Sequence, residues 1–520
     1  MDDPNTVMIL FPNDRNAREP GAMMVKNPEN APFYIPSSPS SHTFELDDED
    51  ADGALPAGLR FTFDQRRRRR RGVIIGTAES CDIRFPLDDR LKGVSNFQCL
   101  IGFDNNNRLI LEDIRDMAKD PRDQMGGQSH LMSGDIRGTG TAQVKKIKLD
   151  GTAVTYEDEK LEKRRNFAWI LSGTNFTDGN QKICIYLHDK LCFRAAIPPR
   201  DHSSAEYLAR VARFRQGAMG DPDQLLMPRL DLTQDGEATS AAPTGTQTPR
   251  NHPIWLNREH LGGGAYGTVT RVVNVSTGVE CARKESLLKV DEEDLEFVWK
   301  REARLLRRIS HKYIVGIVDA DFSSPEHPIL DLEFVPGKTL QYQDKKSQLS
   351  LSEVVMILSQ GLEALEYLHN LRPPVAHRDI KPENILVQHC NAWGIHIKLA
   401  DFGLSKDNED LRTKCGTPLY QAPEIFSTKE YTLAVDIWSL GVMVYELGFG
   451  LPARLGKEGR AWCNAIVDKV FEDIMNVSNK STRDLLKFLA NHMLMMDPEL
   501  RSPATQCREL VEEYVTELWV

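Results

Sequence analysis

The 520-residue chain lacks any apolar run of about 18 residues, the length that a membrane-spanning helix needs. Its start, MDDPNTVMIL, is acidic and has no basic segment followed by a long apolar stretch, as a secretory signal has. The nine cysteines are scattered, odd in number and without a Cys-x-x-Cys pair. This pattern argues against a disulfide framework and against a structural zinc site. We therefore expect an intracellular protein of the nucleus, the cytoplasm or both, without membrane attachment.

An excess of basic charge is also lacking. The 65 basic and 76 acidic side chains give a net charge of −11, so we expect no direct nucleic-acid binding. The local exception is the run of six arginines at Arg66–Arg71. Such a run indicates a nuclear import signal or an anion-binding patch, with a solvated loop edge as the alternative. Six consecutive arginines favour an exposed basic function.

The length indicates more than one domain. Residues 1–55 are rich in Pro, Asn, Ser and acidic residues, and we predict that they are disordered. Residues 56–200 contain short β-type runs separated by turn residues, a pattern typical of an all-β sandwich. These runs are GVIIG, FQCLIGF, RLILED, TAVTY, FAWIL and KICIYL.

Two segments interrupt or follow this pattern. Residues 116–140 are rich in Gly, Met and charge and predict a surface insertion. Residues 201–254 predict a helix over Ser204–Gln216 and then a flexible linker rich in small residues and proline. Residues 255–520 have a mixed pattern, first β and then α.

A glycine-rich segment opens the last region. Residues 261–269 read LGGGAYGTV and match G-x-G-x-x-G-x-V. Glycines at these positions let backbone amides approach the phosphates of ATP, although the segment alone is equally compatible with a plain hairpin turn. Lys284 follows in the strand-like CARK and is placed to hold the α- and β-phosphates. Glu302, in a helical run, is the candidate carboxylate partner of Lys284, and a solvated helix charge is the alternative.

The most specific pattern is VAHRDIKPEN at residues 375–384. Asp379 can accept a hydrogen bond from a substrate hydroxyl and orient it, and Lys381 can neutralise the transferred phosphate. Asn384 and the Asp401 of LADFG supply oxygen ligands of the kind that Mg²⁺ prefers. Because these motifs occur together and in order, a chance set of surface charges is a poor explanation.

With these motifs, residues 255–520 resemble the eukaryotic protein-kinase family. The resemblance implies an α+β bilobal fold, with a small β-rich lobe, a larger helical lobe, and ATP and Mg²⁺ bound between them. The fold class predicted for the chain is therefore multidomain, an all-β sandwich followed by a bilobal kinase fold. The nucleotide-binding residues that the resemblance implies are Gly262, Gly264, Gly267, Val269, Ala282, Lys284, Leu332, Glu333 and Val335.

Further matches extend this resemblance. Ala422-Pro423-Glu424 resembles the end of the activation segment, Asp436 resembles the Asp that braces the catalytic loop, and Arg501 matches the arginine that pairs with Glu424. Lys381 is typical of Ser/Thr specificity. In the activation segment Thr413 is the candidate phosphorylation site, and Arg378 is the cation expected to bind its phosphate.

Residues 56–200 resemble a forkhead-associated (FHA) domain, a β-sandwich whose loops at one end bind phosphothreonine peptides. The segments that carry the resemblance are Gly72–Thr77, Ser80–Ile83, Gly93–Gln98 and Asp150–Val154. Thr77 stands where the family has a phosphate-binding arginine, Gln98 where it has histidine, and Asp150 where it has asparagine. Two interpretations stay open. Phosphothreonine is recognised through Ser95, Thr77, Arg84 or Lys92, or the domain is an interaction or dimerisation module without phosphate recognition.

The order of an FHA-like domain and a Ser/Thr kinase domain resembles the checkpoint kinases. It implies transfer of the ATP γ-phosphate to Ser/Thr hydroxyls of proteins in checkpoint-type or stress signalling, with activation by phosphorylation of the activation loop. The expected partners are protein substrates, a phosphothreonine-containing protein at the FHA-like domain, and a second copy in a transient homodimer. The alternative function is a scaffold with a weakly active or inactive kinase domain.

Overall fold

The structure is a computed structural model that divides into two compact units, Met1–Leu256 with Val273–Val279, and Asn257–Val272 with Glu280–Val520. Each unit contains a large hydrophobic core of its own. The residues that it describes are 3–13, 19–39, 54–65, 67, 71–86, 88–91, 93–115, 151–157, 161–174, 176, 182–216, 253–264, 267–286, 292–324, 327–346, 348–391, 394–407, 417–426, 431–454 and 456–518. The predicted insertion at 116–140 lies outside this set, as do the linker after Gln216, Lys92, Asp150 and Thr413.

The first unit is rich in β-structure. Its strands are β1 (Thr6–Pro12), β2 (Tyr34–Ile35), β3 (Ser38–Pro39), β4 (Ala54–Leu55), β5 (Gly58–Thr62), β6 (Gly72–Gly76), β7 (Ile83–Arg84), β8 (Cys99–Phe103), β9 (Leu109–Asp113), β10 (Ala153–Tyr156), β11 (Ala168–Ser172), β12 (Ile183–His188) and β13 (Leu191–Ala196). Its helices are α1 (Pro20–Val25) and α2 (Ala205–Gln216). The strand predictions for 72–76, 97–103, 108–113, 152–156, 167–171 and 182–187 are confirmed to within two residues, and so is the helix that ends at Gln216.

These strands form two main sheets. One has the order β10-β12-β13-β1-β5-β2 and the other the order β11-β9-β8-β6-β7. One hydrophobic cluster takes residues from both, for example Leu10 and Phe193 from the first sheet and Ile101 and Trp169 from the second. The alternation of side chains along each strand directs one set of apolar residues of each sheet into this shared core.

The prediction that residues 1–55 are disordered is wrong for the segments that form β1 and α1. Strand β1 pairs with β13 on one side and β5 on the other, and Val7 to Phe11 are all buried. A central strand is covered on both faces, so its apolar residues run continuously. The continuous apolar run Val-Met-Ile-Leu-Phe is such a sequence. The prediction of disorder gave more weight to the polar residues around it.

Arg67 departs from the expectation of an exposed arginine run. Its guanidinium carbon lies 3.5 Å from the ring centroid of Phe214, and it donates a hydrogen bond to the Phe214 carbonyl at the end of α2. Burial lowers the pKa of Arg67 to about 10. This arginine therefore joins the end of α2 to the segment between β5 and β6 and is partly shielded from solvent. A cation near a helix C-terminus is also favoured by the helix dipole.

The second unit begins with strands and continues with helices. The strands that lie wholly or mostly in it are β14 (Trp255–Gly264), β15 (Gly267–Asn274), β16 (Glu280–Glu285), β17 (Ile317–Asp321), β18 (Ile329–Glu333), β19 (Val375–Ala376), β20 (Ile385–Asn391), β21 (Gly394–Leu399) and β22 (Lys406–Asp407). The helices are α3 (Glu292–Leu306), α4 (Leu340–Lys346), α5 (Leu351–His369), α6 (Ala434–Phe449), α7 (Gly459–Asn476), α8 (Lys480–Phe488) and α9 (Ala504–Leu518).

A five-stranded sheet, β14-β15-β16-β18-β17, is followed by a helical part built around α5 and α6. Helix α5 starts at a capping box, in which the Ser350 hydroxyl accepts from the Glu353 amide and the Glu353 carboxylate accepts from the Ser350 amide. Helix α6 is buried along nearly its whole length, as its apolar sequence requires. Among the described residues no helix has the length and apolar character to cross a membrane.

Candidate active site

A buried lysine lies at the centre of the site. Lys284, on β16, donates to both carboxylate oxygens of Glu302 on α3, at 2.9 and 3.0 Å. It also donates to Asp401 Oδ1 at 3.3 Å. Burial lowers the pKa of the Lys284 ammonium, but the two carboxylates outweigh burial and raise it above its ordinary value. Lys284 is therefore a fixed cation that joins the sheet, helix α3 and the segment at Asp401.

The residues predicted for catalysis meet around Asp379. Lys381 Nζ lies 2.8 Å from Asp379 Oδ2, and Asn384 Nδ2 donates to the same oxygen at 2.9 Å. The other oxygen, Oδ1, accepts from the backbone amide and the hydroxyl of Thr417, both at 3.0 Å. The Thr417 hydroxyl in turn accepts from Lys381 Nζ at 2.8 Å. The Asp379 carboxylate is thus held in one orientation by donors on both sides.

Asp436, in the first turn of α6, holds the backbone of the catalytic segment. Its oxygens accept from the amides of His377 and Arg378 at 2.8 Å each, and His369 Nε2 lies 3.0 Å away. Burial raises the pKa of the Asp436 carboxyl, but the His369 contact, the charge of His377 and the Arg378 amide bring it below its ordinary value. Arg378 has a φ of +74°, a strained conformation for a non-glycine residue, and the bonds from Asp436 help to maintain it.

The segment that begins at Asp401 is positioned by several contacts. Asp401 itself has a φ of +61°. Phe402 is buried, with its ring 4.8 Å from that of His377, and the carbonyl of Gly403 accepts from Arg301 on α3 at 3.2 Å. These contacts direct the Asp401 carboxylate towards Lys284.

The glycine-rich segment and the strands beside it form the other wall. A Cβ on Gly267 would lie 2.2 Å from the Glu285 carbonyl oxygen, so no other residue fits there without a shift. Ala282 and Leu332 are direct cross-strand partners on β16 and β18. At the end of β18, the Glu333 amide donates to the Gly316 carbonyl at 2.8 Å, and Val335 is buried. The predicted nucleotide-contact residues in these strands therefore lie on neighbouring elements next to Lys284.

Comparison with known proteins gives a family for this arrangement. Residues 255–512 match the family profile described as protein kinase domain. A probable myosin light chain kinase of Dictyostelium discoideum is 34% identical over 254 residues, covering 48% of this chain and 63% of that protein. A second one from the same organism is 32% identical over 259 residues, covering 48% of this chain and 71% of the relative. The chain belongs to the protein kinase family.

The coverage varies among these kinases. Myosin light chain kinase 3 of Homo sapiens is 34% identical over 258 residues, but the match covers only 30% of it. The chain therefore spans less than two thirds of the length of that protein and of the first Dictyostelium kinase. The family profile, over residues 255–512, spans Lys284, Glu302, Asp379 and Asp401.

The oxygen ligands of this kinase site fit a magnesium ion. Asn384 uses its Nδ2 to donate to the Asp379 carbonyl at 2.8 Å as well as to the Asp379 carboxylate, which orients its amide oxygen as the remaining acceptor. The Asp401 side chain keeps 42% of its surface exposed, so a ligand can reach it. Partial burial raises the pKa of Asp401, but Lys284 lowers it below the ordinary value and keeps the carboxylate charged. A carboxylate and an amide oxygen are hard ligands of the kind Mg²⁺ takes.

Several supporting contacts of the kinase were not predicted from the sequence. Lys398 pairs with Glu333 at 3.0 Å, and Tyr420 donates to Glu446 on α6 at 2.6 Å. Arg378, expected to bind the phosphate of Thr413, donates to the Tyr431 hydroxyl. Tyr420 follows Gly-Thr-Pro by only two residues, which is the one local signal that could have drawn attention to it.

Proposed function

We propose that this chain is an active serine/threonine protein kinase that transfers the γ-phosphate of ATP to Ser/Thr hydroxyls of proteins. The observation that carries the proposal is the connected network of Lys284, Glu302 and Asp401 beside the fixed Asp379. A catalytically inactive scaffold does not need to keep a buried lysine paired with two carboxylates, because burying such charges costs stability. The complete network therefore favours the enzyme over the scaffold.

We propose a task for each residue of the site. Lys284 is placed to bind the α- and β-phosphates, held by Glu302. Asp379 orients the attacking hydroxyl, and Lys381, 2.8 Å from that carboxylate, stabilises charge on the transferred phosphate. Most of the catalytic effect in phosphoryl transfer comes from such positioning and charge stabilisation. Asn384 and Asp401 would hold Mg²⁺, which supplies neutralisation of the phosphate charges when it is bound.

Adenine recognition is proposed at the end of β18. The Glu333 amide is already bonded to the Gly316 carbonyl, so the Glu333 carbonyl and the backbone of Val335 are the groups offered to adenine. The Glu333 side chain is fixed by Lys398 at 3.0 Å, which stabilises this segment. Leu332, whose cross-strand partner is Ala282, directly precedes Glu333 on β18 and is proposed to face the adenine as well.

Preference for a basic residue upstream of the phosphorylated site is supported by Glu383, which lies beside Lys381. One Glu383 oxygen accepts from Gln341 at 2.6 Å, while the other is buried and has no partner among the described residues. A guanidinium or ammonium group of a substrate would satisfy it. Thr339 stands at the second position that strongly basophilic kinases use for an acid, so selection is expected to be moderate.

For the first unit we propose an FHA-like module that recruits a protein partner in checkpoint-type or stress signalling. Two observations support this assignment. The unit has two sheets around one core, and the loops at Thr77 and Ser95 meet, with the Thr77 amide donating to the Ser95 carbonyl at 3.2 Å. The Thr77 hydroxyl, in place of the family's arginine, donates to Asn96 at 3.0 Å.

Recognition of phosphothreonine by this module would rest on the Ser95 hydroxyl, since no described residue bonds it. Arg84 forms ion pairs with Glu29 and Glu79, which compete with binding of a phosphate. Gln98 is fully buried and bonded to Thr152 and the Leu187 carbonyl, at 3.1 Å each. A hydroxyl replaces a bidentate charged contact poorly, so we propose weak phosphate dependence and recruitment mainly through protein contacts.

The test of the enzyme is phosphate transfer from Mg-ATP to an arrayed Ser/Thr peptide library. Asp379→Asn should abolish incorporation, and Asp468→Asn, the same change at an exposed site on α7, should leave it intact. No incorporation by the wild-type chain, also after phosphorylation of Thr413, would replace the enzyme proposal with the scaffold. The array also reads out whether basic residues upstream of the site are preferred.

The test of the module is binding of a phosphothreonine peptide library to the full chain. We expect weak binding by the wild type and a gain of at least about tenfold for Thr77→Arg, which restores a charge-assisted contact. Tight wild-type binding that Ser95→Ala removes would instead establish phosphothreonine recognition through the native residues.

A further inference from the structure

Two cysteines of the first unit lie together on adjacent strands. Cys184 is on β12, opposite Arg194, and Cys192 is on β13, opposite Tyr186. Opposite residues of an antiparallel pair point to the same face, so the two cysteines are diagonal neighbours on one face of the sheet. Their thiols form a hydrogen bond with each other, and neither is in a disulfide.

This face is the one turned away from the core. The alternate residues of β12, Ile183, Ile185 and Leu187, belong to the hydrophobic cluster shared by the two sheets. Cys184 and Cys192 therefore point the other way, yet they are only 7% and 9% exposed. This small exposure admits a small reagent but excludes a bulky one.

The chemistry of Cys184 differs from that of other cysteines in the chain. Burial raises the pKa of four buried thiols, those of Cys99, Cys281, Cys463 and Cys507. It also raises the pKa of Cys390, together with the Glu353 carboxylate. At Cys184, in contrast, the hydrogen bond from Cys192 lowers the pKa to about 7 despite burial, with help from the charges of Lys182 and Arg194. This hydrogen bond and the two nearby cations favour the thiolate form of Cys184, and the thiolate is the reactive form.

We propose that Cys184 and Cys192 form a redox-sensitive modification site, at which a hydroperoxide converts the two thiols into a disulfide. Three observations support this site: the diagonal placement on paired strands, the thiol–thiol contact, and the two cations on either side. None of the residues involved takes part in phosphate transfer, so the proposal stands independently of the kinase reaction.

The reaction has two steps. The Cys184 thiolate attacks one oxygen of the peroxide, the O–O bond breaks, and the departing hydroxide takes a proton to become water, which leaves Cys184 as a sulfenic acid. The Cys192 sulfur then attacks the Cys184 sulfur, the S–O bond breaks, and the thiol proton leaves with the hydroxide as a second water. The two thiols lose two electrons in total, and the peroxide gains them.

Formation of the S–S bond requires the two Cβ atoms to come within about 4 Å of each other. Diagonal neighbours start farther apart than this, so the strands must shift locally. The pairing of β12 with β13 is already irregular between Tyr186 and His188, next to the turn. This irregular end of the hairpin is where the shift is expected, and the resulting disulfide should be readily reduced.

The experiment uses the full chain, treated with hydrogen peroxide in equimolar steps, alkylated with iodoacetamide and digested with trypsin. Cleavage after Lys182, Lys190 and Arg194 separates the cysteines into ICIYLHDK and LCFR. The expected product is these two peptides joined and two hydrogens lighter than their sum, restored by dithiothreitol. Cys390, which is exposed but has a raised pKa, is the internal control and should stay reduced at the same dose.

Two variants test the two steps of the reaction separately. In Cys192→Ser, Cys184 should stop at the sulfenic acid and be captured by dimedone, and in Cys184→Ser the Cys192 thiol should stay reduced. Oxidation of Cys390 before Cys184, or oxidation of Cys184 without any linked peptide in the wild type, would overturn the proposal. Because the wild-type digest alone decides between these results, misfolding of a variant does not remove the test.

Discussion

Arg501 and Glu424 form a two-point ion pair across 77 residues of sequence, with Nη1–Oε1 at 2.6 Å and Nη2–Oε2 at 2.7 Å. Both side chains are almost completely buried. Arg501 also donates to the carbonyls of Met495 and Ala434, and its guanidinium lies 5.1 Å from the ring centroid of Trp438. One arginine thus connects the end of the activation segment with the start of α6 and with the segment before α9.

Replacing Arg501 with Ala should therefore destabilise the kinase unit by about 3–5 kcal/mol, because it leaves the Glu424 carboxylate buried without a partner. The measurement is urea unfolding followed by tryptophan fluorescence, to which Trp438 contributes from beside the lost cation. Arg454→Ala is the matched control. Its side chain is 44% exposed, and its ion pair should contribute less than about 1 kcal/mol. Equal effects of the two variants would contradict the structural role given to the pair.

The Lys284–Glu302 pair leads to a prediction about activity. Glu302→Gln keeps the shape of the side chain but removes the charge that holds Lys284, so Lys284 should move towards Asp401 and away from the phosphates. We expect kcat/KM for ATP to fall by roughly 100-fold, the size of effect seen when one preorganised electrostatic contact is removed. Glu472→Gln, at an exposed site on α7, is the control. A loss of less than about twofold would show that Glu302 does not position the lysine.

The grouping of the candidate catalytic residues could be predicted from sequence, because their proposed chemistry requires particular residue types at particular spacings. Asp379, Lys381 and Asn384 lie within six positions of sequence. In the structure Lys381 and Asn384 both contact the Asp379 carboxylate. The pairing of Lys284 with Glu302 required only the further prediction that a strand is followed by a helix that packs beside it. Residues that are this close in sequence are also held close in space, so a local motif already specifies much of the geometry.

Contacts between distant residues could not be predicted in this way. Arg283 pairs with Asp331 at 2.8 Å because strand register places them opposite each other, and no pattern near either residue specifies that register. Strand β1 was missed for a related reason. Its apolar run is short, and only its pairing with β13 and β5, both far away in sequence, makes it a central strand.

The stability of the protein should fall as pH is lowered from about 7.5 to 5.5. Burial lowers the pKa of His311, His396 and His492 in the folded state. In the unfolded chain these groups have a pKa of about 6.5, so the unfolded state takes up protons first. The stabilisation is therefore fully present above that pH and is lost as pH falls through the folded values. Thermal unfolding at constant ionic strength checks this, and an unfolding temperature that rises towards pH 5.5 would contradict it. His492→Asn should flatten the slope.

Thr417 provides the sharpest test of the arrangement around Asp379, because its hydroxyl accepts from Lys381 at 2.8 Å and donates to Asp379 at 3.0 Å. Thr417→Ala removes both bonds but keeps the backbone amide that also binds Asp379. A hydrogen bond to a charged group contributes about 1.5–3 kcal/mol, and the retained backbone amide still holds Asp379, so we expect a loss equivalent to about one such bond and a fall in kcat of roughly 10- to 100-fold.

Thr417→Ser keeps the hydroxyl and is the matched control, with kcat expected within about threefold of the wild type. The KM for ATP should change little in either variant, since Thr417 contacts the groups that orient the acceptor hydroxyl and not Lys284. If Ser and Ala lowered kcat equally, the effect would come from the lost methyl group and its packing, and the hydroxyl would not be the element that fixes Asp379. If Ala raised mainly the KM for ATP, the contact would act on nucleotide binding instead of on the orientation of the acceptor.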